Sequence, residues 1–386
     1  MKICILTPRF PFPENGGDVL RINNICRYLK SKGHQLILVS YYDNKDIKNN
    51  LSEQLYDKIY YIKHRKIRAY INTILAFIFN KPLQIGYYFS FDFLSVFKKV
   101  IKVEQPDLYI SHLQRMVSYL NICRLHENSI VEATDLISKM YASTSNSSGI
   151  SLKKFIYKIE NERIKKHELQ TLNAYKKCVF VSKEDIKHLD YKSVSVHACG
   201  VQCLPKIPAG YNKNKIVFVG NMRTLQNSDA VKFFIDEIFP VIKKAIPNAV
   251  FHIIGAEPPG FIQNMADGKN IIVSGFVQSI ENEIKDAAVS VAPLRIAAGI
   301  QNKVLISMAC GVPIVLTSCI STGIPELVSS QNCTVADEKT EFANAVILLM
   351  QNENMRNDIG KAGYGMVQSR YSWEEKLEGY EKLRRM

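Results

Sequence analysis

Short apolar runs alternate with amphipathic stretches along most of the chain. The opening KICILTP is apolar to Thr7, a loop with Pro8, Pro11, Pro13, Gly16 and Gly17 follows, and an amphipathic stretch then runs to about Lys32. This pattern predicts strand, loop and helix. After the Gly33-His34 turn, residues 35–40 predict a second strand. The resulting β-α-β unit opens its first loop at the strand's carboxyl end, where such units bind ligands. Runs at 107–111, 129–132, 178–182 and 194–196 predict further strands, so the first half is an α/β domain.

The text PKIPAGYNKNK, around 204–214, has little to bury and predicts a linker. The pattern then restarts. Strands are predicted at 215–220, 250–255, 270–274, 288–293 and 313–317, with helices near 230–244 and 302–310, a second doubly wound sheet. The stretch 371–385 is polar and helical in period, with the lone Trp373 packed on a neighbour. The expected boundaries are a first domain at 1–205, a linker at 206–214, a second domain at 215–365, and a C-terminal helix at 366–386 that packs back on the first domain.

Composition narrows the classes. A chain of 386 residues with 47% hydrophobic and 22% charged residues is neither disordered nor a single small module. The net charge of +14 is uneven: residues 1–210 carry 32 Lys and Arg against 18 Asp and Glu, and residues 211–386 carry 18 of each. One domain is therefore expected to meet an anionic surface. The sharpest candidate is KHRKIRAYINTILAFIF, 63–79, where basic residues precede an apolar stretch. It reads either as a helix docking on an anionic leaflet or as a core helix with a solvated first turn. The charge-rich stretch 153–166 reads as a solvated helix face. Nucleic acid is not an expected partner, because the chain has neither an aromatic-interleaved basic motif nor a P-loop.

The nine cysteines form no C-x2-C pair, and no leader precedes Lys2, which predicts free thiols in a reducing cytosol. Cys199, Cys203 and His197 fit no zinc spacing. The longest apolar stretch, 71–79, is about half of the roughly 18 residues a spanning helix needs.

Chemistry concentrates in PLRIAAGIQNKVLISMACGVPIVLT, 293–317. Arg295 and a small-residue loop at 297–299 follow a strand, and a helix carrying Lys303 begins next. Fixed cations, close backbone approach and a helix N-terminus make a diphosphate site. No Asp-x-Asp pair is present to hold a divalent cation, so no metal or other cofactor is expected. Other positions carry a plain reading beside the functional one. Gly16 and Gly17 end a loop or approach a phosphate, His112 is structural or catalytic, and Asp135 caps a turn or contacts an acceptor.

TPRFPFPENGG with Arg21 and the KGH turn, HLQRM, EATDLIS, FVGNM with Asn227, FHIIG, SGFV, MACGVPIV and YSWEE occur in that order over both halves. Together they resemble the glycosyltransferase family 4 proteins of the GT-B fold. The PLR-x3-G-I-x-N-K text is closest to the members common among bacterial surface-polysaccharide gene products. The resemblance implies an α/β protein with two Rossmann-like domains facing across a cleft. It also implies a retaining glycosyltransferase that moves a sugar from a nucleotide diphosphate donor to a lipid-diphosphate-linked glycan acceptor, for O-antigen, capsule or exopolysaccharide. Such an enzyme would be cytoplasmic and peripheral on the inner face of the inner membrane. In these terms Gly17, Gly220, Arg223, Arg295, Gly299, Ile300, Lys303 and Ser307 would bind the donor. Gly16, Arg21 and Arg115 would bind the acceptor, and His112 and Asp135 would lie at the reacting sugar.

Two places depart from the family pattern. Ala298 and Ile306 stand where many members carry two glutamates, the second of which receives the donor ribose. Isoleucine accepts no hydrogen bond, and Ser307 is the neighbouring candidate. Asn221 and Asn227 stand where an Arg and a Lys are frequent, which shifts the charge onto Arg295 and Lys303. The alternative is a catalytically impaired sugar-nucleotide-binding or assembly subunit.

Overall fold

The computed structural model describes residues 1–14, 16–42, 54–139, 141, 152–182, 186–187, 191–208, 210–297 and 299–380, with side chains of the helix at 152–174 described from 159 onward. The chain forms two units, Met1–Cys199 with Lys376–Met386, and Gly200–Glu375.

The first unit is built on a seven-stranded sheet. Its strands are β1 (Lys2–Thr7), β2 (Gln35–Tyr42), β3 (Lys58–Lys63), β4 (Leu108–His112), β5 (Ser129–Thr134), β6 (Cys178–Phe180) and β7 (Val194–Val196). All pair in parallel in the order β3-β2-β1-β4-β5-β6-β7. Helices α1 (Gly17–Ser31), α2 (Lys66–Ile78), α3 (Leu83–Tyr88), α4 (Phe91–Glu104), α5 (Val117–Ile122) and α6 (Leu152–Ala174) make the connections. The order reverses between β1 and β4, the switch point where open sheets leave a crevice. Strands β1, β2 and β4 are apolar on both faces because helices cover both. Strand β3 escapes the sequence pattern, since KIYYIK is an edge strand that is only partly buried and has a lysine at each end.

Helix α2 decides between the two readings of 63–79. Of its 13 residues only Ala69 and Ala76 are buried, so the core-helix reading fails. The small Ala76 side chain lies over Gly86 of α3, where a Cβ would come within 2.4 Å of it. Meanwhile Ile67 is 79%, Ile78 66% and Phe79 69% exposed.

The second unit repeats the plan with six parallel strands: β8 (Asn212–Val219), β9 (Val250–Ile254), β10 (Ile271–Gly275), β11 (Ala287–Ala292), β12 (Ile314–Leu316) and β13 (Thr334–Val335), ordered β10-β9-β8-β11-β12-β13. Its helices are α7 (Leu225–Phe233), α8 (Phe239–Ala245), α9 (Gly260–Met265), α10 (Ile280–Ile284), α11 (Asn302–Ala309), α12 (Ser318–Ser321), α13 (Lys339–Gln351) and α14 (Glu353–Arg370), followed by α15 (Trp373–Leu377). A π-turn at Phe234–Ile238 joins α7 to α8. Phe218, Phe234, Phe251 and Phe342 anchor the core.

Strand β8 begins at Asn212, inside the stretch whose composition reads as linker. Its polar start is held by a backbone bond from Asn212 to Asp286 and by Lys215 on the Asp286 carboxylate, 2.7 Å. Trp373 is buried, with its backbone against Gly200. Beyond α15, the described residues to Tyr380 pack on the first unit, of which they are part.

Candidate functional site

In the second unit the carboxyl ends of β8 and β9 approach closely. A Cβ at Gly255, where φ is +152°, would lie 1.7 Å from the Gly220 carbonyl oxygen, and one at Gly220 would lie 2.7 Å from the Asn227 amide. Both positions must be glycine for the two strand ends and the start of α7 to meet. Beside them opens a cavity of about 430 Å³. The β8 and β9 ends, the first turn of α7, the loop after β10 and the first turn of α11 form its wall.

Among the described residues, Lys303 is the one charged side chain in that wall. Its Nζ hydrogen-bonds Asn227 Oδ1 and lies 5.4 Å from the Phe218 ring centroid. Partial burial, with no carboxylate partner among the described residues, pushes its pKa down to about 8. A desolvated cation held by one neutral amide is poised for an anion. Asn227 thus emerges as the side chain that positions the lysine. The sequence marks it only as a departure from the family's usual lysine.

The other expected donor residues are dispersed. Gly220 lines the cavity. Arg295 does not, because its guanidinium pairs with Asp229 of α7 and lies 5.4 Å from the Phe233 ring centroid. Arg223 is exposed and pairs with Glu257. Gly299, with φ +64°, and Ile300 are exposed on the loop ahead of α11, and Ala298 lies outside the described residues. Ser307 is fully buried, its hydroxyl 2.8 Å from that of Ser290 and bonded to the Lys303 carbonyl. That hydroxyl is spent on the β11–α11 contact, so the cavity wall at this point is Ile306. The uncharged polar groups lining the cavity are Asn221, Thr224, Gln226, Asn227, Gln301 and Asn302.

The first unit has a larger cavity of about 860 Å³ at its own switch point. Gly17, Arg21, Arg115 and Asp135 line it together with Arg9, Asp18 and Lys139. Gly16, with φ +124°, leaves room for Arg9 to reach Asp18, the Nε–Oδ2 distance being 3.0 Å. Arg115 takes Gln84 at 3.0 Å and lies over the Tyr88 ring. Arg21 is fully buried. It pairs with Glu132 at 2.6 Å, and Glu132 also accepts the Tyr380 hydroxyl at 3.0 Å. Its side chain therefore props the cavity floor from inside.

His112 ends β4, and neither ring nitrogen has a hydrogen-bond partner among the described residues. Burial, with Arg21, Arg9 and Arg115 nearby and only Asp18 opposing, holds its pKa well below the usual imidazole value. The ring is neutral at pH 7 and offers both a donor and an acceptor. Leu113 and Thr134, next to these strand ends, hold φ of 67° and 69°, a strained conformation for such side chains. The first unit thus gathers Gly17, Arg21, Arg115 and Asp135 around one space, with Gly16 and His112 adjoining. Sequence reasoning overlooked Arg9, Asp18 and Glu132, although an acid in the first turn after a glycine pair was visible in the text.

Residues 213–352 match the model of the family described as Glycosyl transferases group 1. Over 96% of each chain, the protein is 21% identical to a Klebsiella pneumoniae protein described as an uncharacterized 44.6 kDa protein in the cps region. A variant of S. aureus TarM, solved with fondaparinux, α-GlcNAc-glycerol and UDP, aligns over the whole of both chains with a TM-score of 0.63 at 12% identity. HepE of Anabaena in complex with UDP-glucose does so with a TM-score of 0.59 at 12% identity. Residues 213–352 of the second unit thus carry the likeness to group 1 glycosyl transferases, and the two parallel-sheet units share the GT-B fold of the solved glycosyltransferases.

Proposed function

We propose that the second unit's cavity holds a nucleotide-sugar donor and the first unit's cavity a lipid-diphosphate-linked glycan. The sugar is then transferred with net retention, in the synthesis of a bacterial surface polysaccharide. The observation that carries this reading is Lys303, a partly buried cation with no carboxylate partner among the described residues, at the switch-point ends of a doubly wound sheet. There it meets the donor diphosphate, and the backbone N–H groups of the first turn of α11 add to it. The leaving diphosphate gains negative charge as its bond to the anomeric carbon breaks. A cation fixed beside the departing group stabilises that change. Because Lys303 and these N–H groups meet the charge, the reaction proposed needs no metal. Arg295 joins the diphosphate only by releasing Asp229.

On the acceptor side, neutral His112 offers a lone pair to a sugar hydroxyl, and Asp135 stands at the mouth of the same cavity. Retention rests on the family resemblance. The surface-polysaccharide assignment rests on that resemblance and on the name of the Klebsiella relative. Peripheral placement on the cytoplasmic face of the inner membrane is supported by the basic first half and exposed helix α2. Among the described residues no helix is long and apolar enough to cross a membrane.

Calorimetric titration with UDP, GDP and their sugar conjugates tests the donor site. Wild type is expected to bind one of these bases, and Lys303→Ala to bind it about tenfold to a hundredfold more weakly. A wild type that binds none overturns the reading. Ile306 favours a second reading, a sugar-nucleotide-binding or assembly subunit, because it puts a methyl group where many relatives have a ribose acceptor. Tight donor binding with neither transfer nor donor hydrolysis would identify that case.

A further inference from the structure

A third cavity, of about 240 Å³, lies in the first unit beside the amino-terminal end of α2. Lys63, Arg65 and Arg68 line it with Tyr87, Phe91 and Asp92. Arg65 and Arg68 both turn to Asp92, at 3.7 and 3.2 Å, and all three side chains are about half exposed. Lys63 has no carboxylate partner among the described residues. In this cavity one carboxylate thus faces three cations.

Its surroundings tell which anion. Helix α2 is about 20 Å long at 1.5 Å per residue. From the cavity outward it exposes Ile67, Ile71, Ile74 and Ile78 on one stripe, with Tyr70 and Phe77 beside them. At its far end, Arg163 lies over the Phe77 ring at 4.7 Å and bonds Asn80. Cations thus stand at both ends of an apolar stripe that no described element covers. A soluble phosphate leaves that stripe in water. An anionic phospholipid matches both parts, with its phosphate among the arginines and its acyl chains along the isoleucines.

We infer that this cavity is a binding site for the headgroup phosphate of an anionic phospholipid and that α2 lies flat in the membrane interface. The inference rests on the peripheral placement proposed above and adds the site and its ligand. In the bound state the lipid phosphate takes Arg65 and Arg68 from Asp92. Asp92 is a competitor, so its loss favours docking.

Co-sedimentation of the full chain with vesicles of phosphatidylcholine, with and without phosphatidylglycerol, tests this. Arg65→Gln with Arg68→Gln is expected to weaken binding to the anionic vesicles about tenfold, and Asp92→Asn is expected to strengthen it. Lys98→Gln with Lys99→Gln removes the same charge from exposed positions of α4 outside the cavity, and is expected to change binding by no more than about twofold. Ile71→Ser with Ile74→Ser should reduce binding to every vesicle. Equal losses from the two double charge variants would mean diffuse attraction and overturn the site, as would an Asp92→Asn variant that binds no better. Nucleotide titration of the same proteins separates this inference from the donor reading. Intact nucleotide binding with no vesicle binding overturns the lipid site alone.

Discussion

At the scale of single residues, Lys303 carries the most testable chemistry. Its pKa near 8 in the free protein lies below the ordinary lysine value, so burial opposes its charged form. A diphosphate favours the charged form. Binding is thus expected to take up a proton above pH 8, and nucleotide affinity to fall up to about tenfold per pH unit above it. Calorimetry in buffers of different ionisation enthalpy reads that uptake directly, and Lys303→Met should abolish it. The same lysine makes the folded state more stable as pH rises from about 8 toward 10.5, since the unfolded chain keeps the proton longer. Lys303 was legible because the text after a strand put a basic residue at a helix start. The partners of the arginines were not. That Arg295 turns to Asp229 and Arg21 to Glu132 depends on residues 66 and 111 positions away, and no local pattern reports such pairings.

Among the elements, glycines fix the positions on which both surfaces depend. Gly255→Ala drives a methyl group into the Gly220 carbonyl and is expected to cost about 3 kcal/mol, lowering the urea midpoint of the second unit and weakening nucleotide binding. Gly86→Val pushes on Ala76 and the Asn72 carbonyl. It is expected to loosen α2, measured as faster amide exchange in 66–78, while nucleotide binding is unchanged. Most strands were legible because parallel strands covered on both faces are continuous apolar runs. The edge strands β3 and β13 were not, being half-polar and, for β13, only two residues long. Nor was the exposed face of α2, since periodicity shows that a helix has an apolar side but not whether anything covers it.

For the whole molecule, charge and connectivity divide the labour. The basic half carries the cavity rich in arginine and the exposed helix, and the neutral half carries the cavity that Lys303 lines. The first unit is closed by residues from the other end of the chain. Tyr380 donates to Glu132, which is already paired with Arg21. Glu132→Gln strands the Arg21 charge in a dry interior and is expected to cost about 3–5 kcal/mol. Tyr380→Phe removes one hydrogen bond and should cost about 1 kcal/mol. Thermal melts of the two variants should rank in that order, and the reverse order would show that the network's strength lies elsewhere.

That late-arriving tyrosine has a consequence for synthesis. The first unit leaves the ribosome first, but all of Gly200–Glu375 must be translated before its last piece exists. At about 5–20 residues per second that is a wait of roughly ten to thirty-five seconds. Throughout it the Arg21–Glu132 pair lacks its Tyr380 cover, so the first unit completes this buried network only when the last part of the chain emerges.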